Sequence, residues 1–345
     1  MLRYWLIVVI VKIIRMLKVV FNRICLKNKN REDSKMRKKL LWLLVVSVLM
    51  VVTLSQVVVA EPVARMIFIV KSMDNPFWDS MLKGAQEAAA DLNIEIEGLA
   101  PITPYSVEEQ LRFMEIGITK GVDAIIVVPA DSRGIVPGIE KANEAGIVVV
   151  TPNTRADGGE VVSWDGAANF DAAYEVSKYL LTQLKDDCKV IILEGTPGNQ
   201  TATDRKAGID KAIKESKKNI KVLASQTAKF SRVEGMNVME NLLQQFAEID
   251  AVICANDEMA LGAIEAIDAA GRLDKIKVSG FDGNNDAMNA INEGRLVVTG
   301  NQRPDAQAYW GVLAAFVALK GMPCPKDIYI PAPLVTKDNV SQYLK

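Results

Sequence analysis

Short runs of β-branched and apolar residues alternate with longer amphipathic stretches from Met66 to the end of the chain. The runs Met66–Lys71, Ile94–Gly98, Ala124–Val128, Val148–Thr151, Val190–Leu193, Val222–Ser225, Ala251–Cys254, Lys277–Phe281 and Val297–Gly300 read as strands. Between them the apolar positions recur at helical spacing. Gly84, Ala85, Ala88, Ala89 and Leu92 share one face, Leu111, Met114 and Ile118 another, and Val176, Leu180, Leu181 and Leu184 a third. Such alternation predicts parallel sheets covered by helices. Nine strands exceed an ordinary open sheet of about five or six, so two consecutive doubly wound sheets fit better. No Pro-, Ser- or Gly-rich linker separates the halves. The change of half near Asp165–Asn169 is therefore expected to be a tight crossing, which makes it a hinge. Two lobes on short hinges leave a cleft between the carboxyl ends of their strands, where α/β folds bind ligands.

The first 60 residues break this pattern. Met36-Arg37-Lys38-Lys39 precedes an apolar run from Leu40 to Ala60 that ends in Val58-Val59-Ala60. Basic, apolar and small-residue segments in that order describe a secretory signal, with cleavage expected after Ala60. A membrane anchor of similar length is the other reading. Residues 1–35 suit neither role, and Met36 is the simplest start of the translated protein. Charge follows the same division. Residues 1–60 carry a net +10 and the remainder a net −11, although the whole chain is only −1. An acidic body argues against nucleic acid as a partner, since phosphates need a basic face.

Several chemistries drop out. The chain has no histidine, which removes Ser-His-Asp and Cys-His pairs and the usual zinc sites. Cys25, Cys188, Cys254 and Cys324 are widely spaced, so neither a disulfide framework nor a metal site is expected; Cys188 and Cys254 read as buried small hydrophobes. Gly195-Thr196-Pro197-Gly198 lacks the Lys-Ser/Thr ending of a phosphate loop and reads as a turn. Asp257 and Glu258 follow a strand and are expected to stabilise the positive end of a helix. No enzyme, cofactor or metal is predicted.

Asp74-Asn75-Pro76-Phe77-Trp78 stands at the first strand-to-helix turn. Pro76 suits a first helical turn and Asn75 can cap it, while adjacent aromatics on a polar turn suit stacking on a sugar ring. With Lys83-Gly84-Ala85, Gly121-Val122-Asp123-Ala124-Ile125-Ile126, Pro129-Ala130-Asp131-Ser132, Ala224-Ser225-Gln226, Asn256-Asp257-Glu258-Met259-Ala260-Leu261-Gly262 and Gly280-Phe281-Asp282-Gly283, this segment resembles the ribose-binding-protein family of periplasmic solute receptors. The match is collinear over residues 64–343.

That resemblance implies a type I periplasmic binding fold with two doubly wound parallel-sheet lobes joined by a multi-strand hinge. The N-terminal lobe would comprise residues 61–167 with 302–331, and the C-terminal lobe residues 168–301 with 332–345. It implies ligand contacts at Asn75, Phe77, Trp78, Asn153, Phe230, Asn256, Asp282 and Gln302, with Asp131, Arg155, Thr203 and Arg205 as weaker candidates. Phe230 would oppose Phe77 and Trp78 across the ligand. The chain departs from the ribose receptors where Arg follows the residue at Asn153 (Thr154 here), at a ligand-binding Arg (Thr203 here) and at an Asn (Val128 here). Losing two guanidinium forks makes ribose a poor first guess and another sugar or polyol a better one. The implied partners are the permease and ATPase of an ABC importer, and a chemoreceptor sharing that surface. A membrane-tethered sensor and a lac-repressor-type effector-binding protein are the alternatives. The latter needs a basic helix-turn-helix before residue 61, where the segment is apolar and unbroken.

Overall fold

The computed structural model describes residues 61–344, and the expectations for the signal segment, the first 35 residues and Cys25 lie outside them. Residues from Pro62 onward form one body built on two six-stranded sheets. The first contains β1 (Arg65–Ile69), β2 (Glu95–Leu99), β3 (Ala124–Val127), β4 (Val148–Pro152), β5 (Ser163–Gly166) and β11 (Asp327–Tyr329), in the order β11-β5-β4-β3-β1-β2. The second contains β6 (Asp187–Glu194), β7 (Asn219–Thr227), β8 (Ala251–Cys254), β9 (Lys277–Ser279), β10 (Val298–Gly300) and β12 (Leu334–Thr336), in the order β12-β10-β9-β8-β6-β7. All pairings are parallel except β10 with β12. Every residue of β3 and β8 is buried. Helices cover both faces of a parallel sheet, so its inner strands are apolar throughout rather than alternating.

Three strands escaped the sequence pattern: β5, β11 and β12. Ser163-Trp164-Asp165-Gly166 carries residues poorly suited to strands, and β5 exists because β4 and β11 pair with it on either side. These late strands mark where the chain passes between the sheets. It does so after β5, after β10 and between β11 and β12. The crossings are stitched together: Ile330 N donates to Gly166 O at 2.9 Å and Asn301 N to Pro333 O at 2.9 Å.

The helices among the described residues are α1 (Pro76–Leu92), α2 (Val107–Lys120), α3 (Val136–Glu144), α4 (Asn169–Thr182), α5 (Gln200–Glu215), α6 (Arg232–Gln245), α7 (Asp257–Ala269), α8 (Asn285–Glu293) and α9 (Pro304–Leu319). α1 begins as its sequence predicts, with Pro76 in the first turn and the Asn75 side chain accepting from Phe77 N at 2.9 Å. α7 begins the same way, Asn256 accepting from Met259 N at 3.0 Å. α6 and α7 pack so closely that a Cβ on Gly262 would lie 2.0 Å from Arg232 O. A side chain there would force the helices apart, which accounts for the glycine ending the Asn256–Gly262 run.

Candidate functional site

Both sheets present their carboxyl edges to the same space, and the loops leaving those edges carry the polar residues. From the first sheet come Lys71 after β1, Asn75 with Phe77 and Trp78 at the start of α1, Tyr105 before α2 and Asn153 after β4. From the second come Thr201 and Arg205 on α5, Phe230 after β7, Asn256 at the cap of α7 and Asp282 after β9. Gln302, in the crossing before α9, completes the wall. Together they border one small pocket that their own side chains nearly fill.

The eight residues singled out from the sequence therefore border one cavity, and Arg205 joins them. Asp131, Arg155 and Thr203 do not. Asp131 accepts from Arg133 N (2.9 Å) and Gly134 N (2.7 Å) and so shapes a turn. Arg155 pairs with Asp327 at 2.5 Å and lies 3.8 Å over the Trp164 ring, which commits its guanidinium to the crossing strands. Thr203 Oγ1 is turned back onto Asn199 O, one helical turn behind. Sequence reasoning left out Lys71, Thr201 and Tyr105. A lysine closing an apolar strand was the available signal for Lys71, and a proline-flanked loop marked Tyr105 without showing that it reached the cleft. Thr201 carries no signal of its own.

Hydrogen bonds tie these side chains to one another. Arg205 donates through Nε to Asn169 Oδ1 (2.9 Å) and through one terminal nitrogen to Ala255 O (2.7 Å) and Asp282 Oδ1 (3.3 Å). Its guanidinium also lies 4.1 Å over the Phe281 ring. Asp282 further accepts from Gln302 Nε2 at 2.5 Å. Asn256 Nδ2 donates to Phe230 O at 3.2 Å, and Asn153 Nδ2 to Gln302 and Gln307. Lys71 Nζ donates to Thr154 Oγ1 (2.7 Å), which also meets Thr201 Oγ1 at 2.9 Å.

The electrostatics follow from burial. Desolvation, and then the Arg205 charge, hold the Lys71 pKa well below that of a free lysine, while Asp282 pulls it back up. Desolvation lowers Arg205, again opposed by Asp282. The Asp282 carboxyl is raised by burial and lowered by Arg205. Asp257 is raised by burial and by the Asp282 charge. Asp257 does more than sit at a helix start. It accepts from Gly283 N (2.7 Å), Asn284 N (2.8 Å) and Thr299 Oγ1 (2.7 Å), anchoring the loop that carries Asp282. Glu258 likewise binds Arg232 (2.9 Å) and Asn284 (3.3 Å).

Contacts across the cleft show the two sheets drawn together. Asn284 Nδ2 reaches Asn75 Oδ1 at 3.3 Å, Asn199 Nδ2 reaches Ala130 O at 3.1 Å, and Gln200 N reaches Ser132 Oγ at 3.2 Å. At Gly198, with φ +83°, a Cβ would lie 2.1 Å from Asp131 Oδ2. The site thus offers amides, a carboxylate, cations and aromatic faces from both sides of a closed cleft. It can hold a polyhydroxylated molecule by paired donors and acceptors. Among the described residues no group of three acids or cysteines is placed to hold a metal ion.

The profile of the family described as "periplasmic binding protein domain" matches residues 64–323. The ribose import binding protein of Escherichia coli is 35% identical over 288 residues, spanning 83% of this chain and 96% of that protein. An ABC transporter periplasmic solute binding protein from Actinobacillus succinogenes with bound D-allose superposes with a TM-score of 0.77 at 31% identity, over 81% of this chain and all of that one. An ABC transporter solute binding protein from Bacillus halodurans with bound myo-inositol gives a TM-score of 0.76 at 32% identity, over 82% of this chain and 98% of that one.

Proposed function

The chain belongs to the periplasmic binding protein family, and from that premise we infer that it is the sugar-binding component of an ABC importer. It takes a monosaccharide or related polyol in the cleft and delivers it to the membrane permease, which the ATPase drives. It works in the periplasm and makes or breaks no bond in its ligand. One observation carries the ligand class: aromatic faces at Phe77 and Trp78 meet hydrogen-bonding groups at Asn153, Asn256, Asp282 and Gln302 around one small cavity. Aromatic faces bury the C–H side of a sugar ring and leave its hydroxyls to the amides and carboxylate.

The working cycle is hinge bending. The lobes are residues 61–167 with 302–331 and residues 168–301 with 332–345, joined at the three crossings. Ligand enters while they are apart and stabilises the closed arrangement, because only that arrangement lets both lobes bond it at once. The signal segment delivers the protein across the membrane and is removed after Ala60. N-terminal sequencing of the exported protein should start at Glu61, and any other start refutes that cleavage site.

A melting series against pentoses, hexoses and polyols tests the main reading. Ligand at a hundredfold excess over its Kd adds about 2.7 kcal/mol of stability. Asp282→Ala and Phe230→Ala should abolish or greatly weaken the shift. A panel that leaves the melt unmoved removes the sugar reading, whereas a shift retained in both variants removes the residue assignment alone.

A further inference from the structure

At the rim of the cleft the two sheets are joined by residues that do not themselves border the pocket. The turn after β6 ends in Asn199, which precedes α5 and has the extended backbone of a helix cap (φ −92°, ψ 122°). Asparagine is among the best capping residues, and Asn75 and Asn256 use their side chains in that way at the starts of α1 and α7. Asn199 does not. Its side chain is fully buried and reaches across to the first sheet, where Nδ2 donates to Pro129 O (3.3 Å) and Ala130 O (3.1 Å) in the loop after β3. Its Oδ1 has no hydrogen-bond partner.

The cap that α5 lacks comes from the other side of the cleft. Ser132, buried in that same loop, accepts from Gln200 N through Oγ at 3.2 Å, and its own N donates to Gly198 O at 3.2 Å. Gln200 N is one of the first-turn N–H groups that a helix cannot satisfy internally. Asp131 holds the loop in shape through Arg133 N and Gly134 N, and Gly198 leaves room for its carboxylate to lie against the turn. The helix seated in this way carries Thr201 and Arg205, which do border the pocket.

We propose that Asn199 and Ser132 are positioning residues: they clasp the rim of the cleft, seat α5 against the first sheet, and so raise the affinity for every ligand without touching one. Opening parts the two loops, and the Asn199 side chain is then free to turn onto the N–H groups of its own helix. This rests on the hinge-bending reading above and deepens it. A clasp stabilises the closed arrangement by the same amount whichever ligand lies inside, whereas a contact residue favours some ligands over others.

Two variants separate the clasp from the fold. Asn199→Asp is nearly isosteric, caps a helix as well as asparagine does and places its charge at a favourable helix end. It cannot donate, and it sets a carboxylate against the Pro129 and Ala130 carbonyls. Ser132→Ala removes only the acceptor for Gln200 N, and it repeats the experiment should Asn199→Asp melt early. Calorimetric titration of the natural protein and both variants with D-ribose, D-allose and myo-inositol provides the test. Asn199→Asp should weaken every one of these that the natural protein binds by about tenfold or more, and Ser132→Ala by about three- to tenfold, as for the loss of neutral hydrogen bonds. Within each variant the factor should be the same for each ligand, so the order of preference holds, and ligand release followed by stopped flow should quicken. Unchanged affinity in either folded variant overturns the proposal. So does a changed order of preference, which marks a residue that contacts the ligand. If none of the three binds the natural protein, the sugar reading itself falls and takes this inference with it.

Discussion

Replacing Asp165 with valine should stabilise this protein. Asp165 lies on β5 with no exposed surface, and neither carboxyl oxygen has a hydrogen-bond partner. It points at the close approach of α9, where a Cβ on Gly311 would stand 3.0 Å from Asp165 Oδ2 and 3.1 Å from Pro152. Burial alone drives its pKa well above that of a free carboxylate. Leaving such a group unsatisfied costs about 1–3 kcal/mol. Valine is similar in size, suits a strand and needs no partner, so Asp165→Val should recover most of that. At about 2–4 °C per kcal/mol for a domain of this size, the melt should rise by roughly 2–12 °C.

The pH dependence separates this cause from general repacking. With its folded pKa raised, Asp165 holds a proton that the unfolded chain releases above about pH 3.9. The folded state then binds more protons, and stability falls as pH rises from there to the raised value, levelling off beyond it. The variant lacks that slope. Melting curves of both proteins at half-unit steps from pH 4 to 8 should therefore diverge as pH rises. A variant that melts below the natural protein at pH 8, or a gap that is constant across the range, refutes the reasoning.

Two further outcomes follow from the packing and charge of the second lobe. Gly262→Ala drives a methyl group into Arg232 O, 2.0 Å from the ideal Cβ position; it should cost about 1–3 kcal/mol as overpacking, read from the denaturant midpoint. Asp282 accepts most strongly from Arg205 and from ligand hydroxyls when ionised, yet burial, partly offset by Arg205, holds its pKa up at about 6. Ligand affinity measured by calorimetry should be level above that pH and fall below it, and Asp282→Asn should flatten the profile.

The strand–helix alternation was legible because a buried parallel strand needs an unbroken apolar run and a covering helix needs a periodic stripe. β3 and β8 announce themselves in this way. β5 does not, since Asp165 and Gly166 are poor strand residues and the segment pairs only because β4 and β11 flank it. The same contrast runs through the site. Asn75 could be picked out because it also suits a helix cap, and Phe77 and Trp78 because they stand together on a polar turn, although both also pack into the core of the first lobe; Asn256 was implied only by the resemblance. Arg155 and Thr203 looked equally available in the chain. The structure shows one locked to Asp327 and Trp164 and the other turned onto its own helix.

Local signals thus determined, from the sequence alone, that two doubly wound sheets would form, while most of the cleft residues were implied by the resemblance of their motifs to a known family. Tertiary structure alone decided how much room that cleft leaves. Lys71, Thr201 and Tyr105 enter it through contacts that span the chain, such as Lys71 with Thr154 and Tyr105 with Phe230. Their distances are set by how two separately folded sheets close on each other. No run of neighbouring residues encodes that closure, so which side chains meet in the cleft is a property of the assembled lobes.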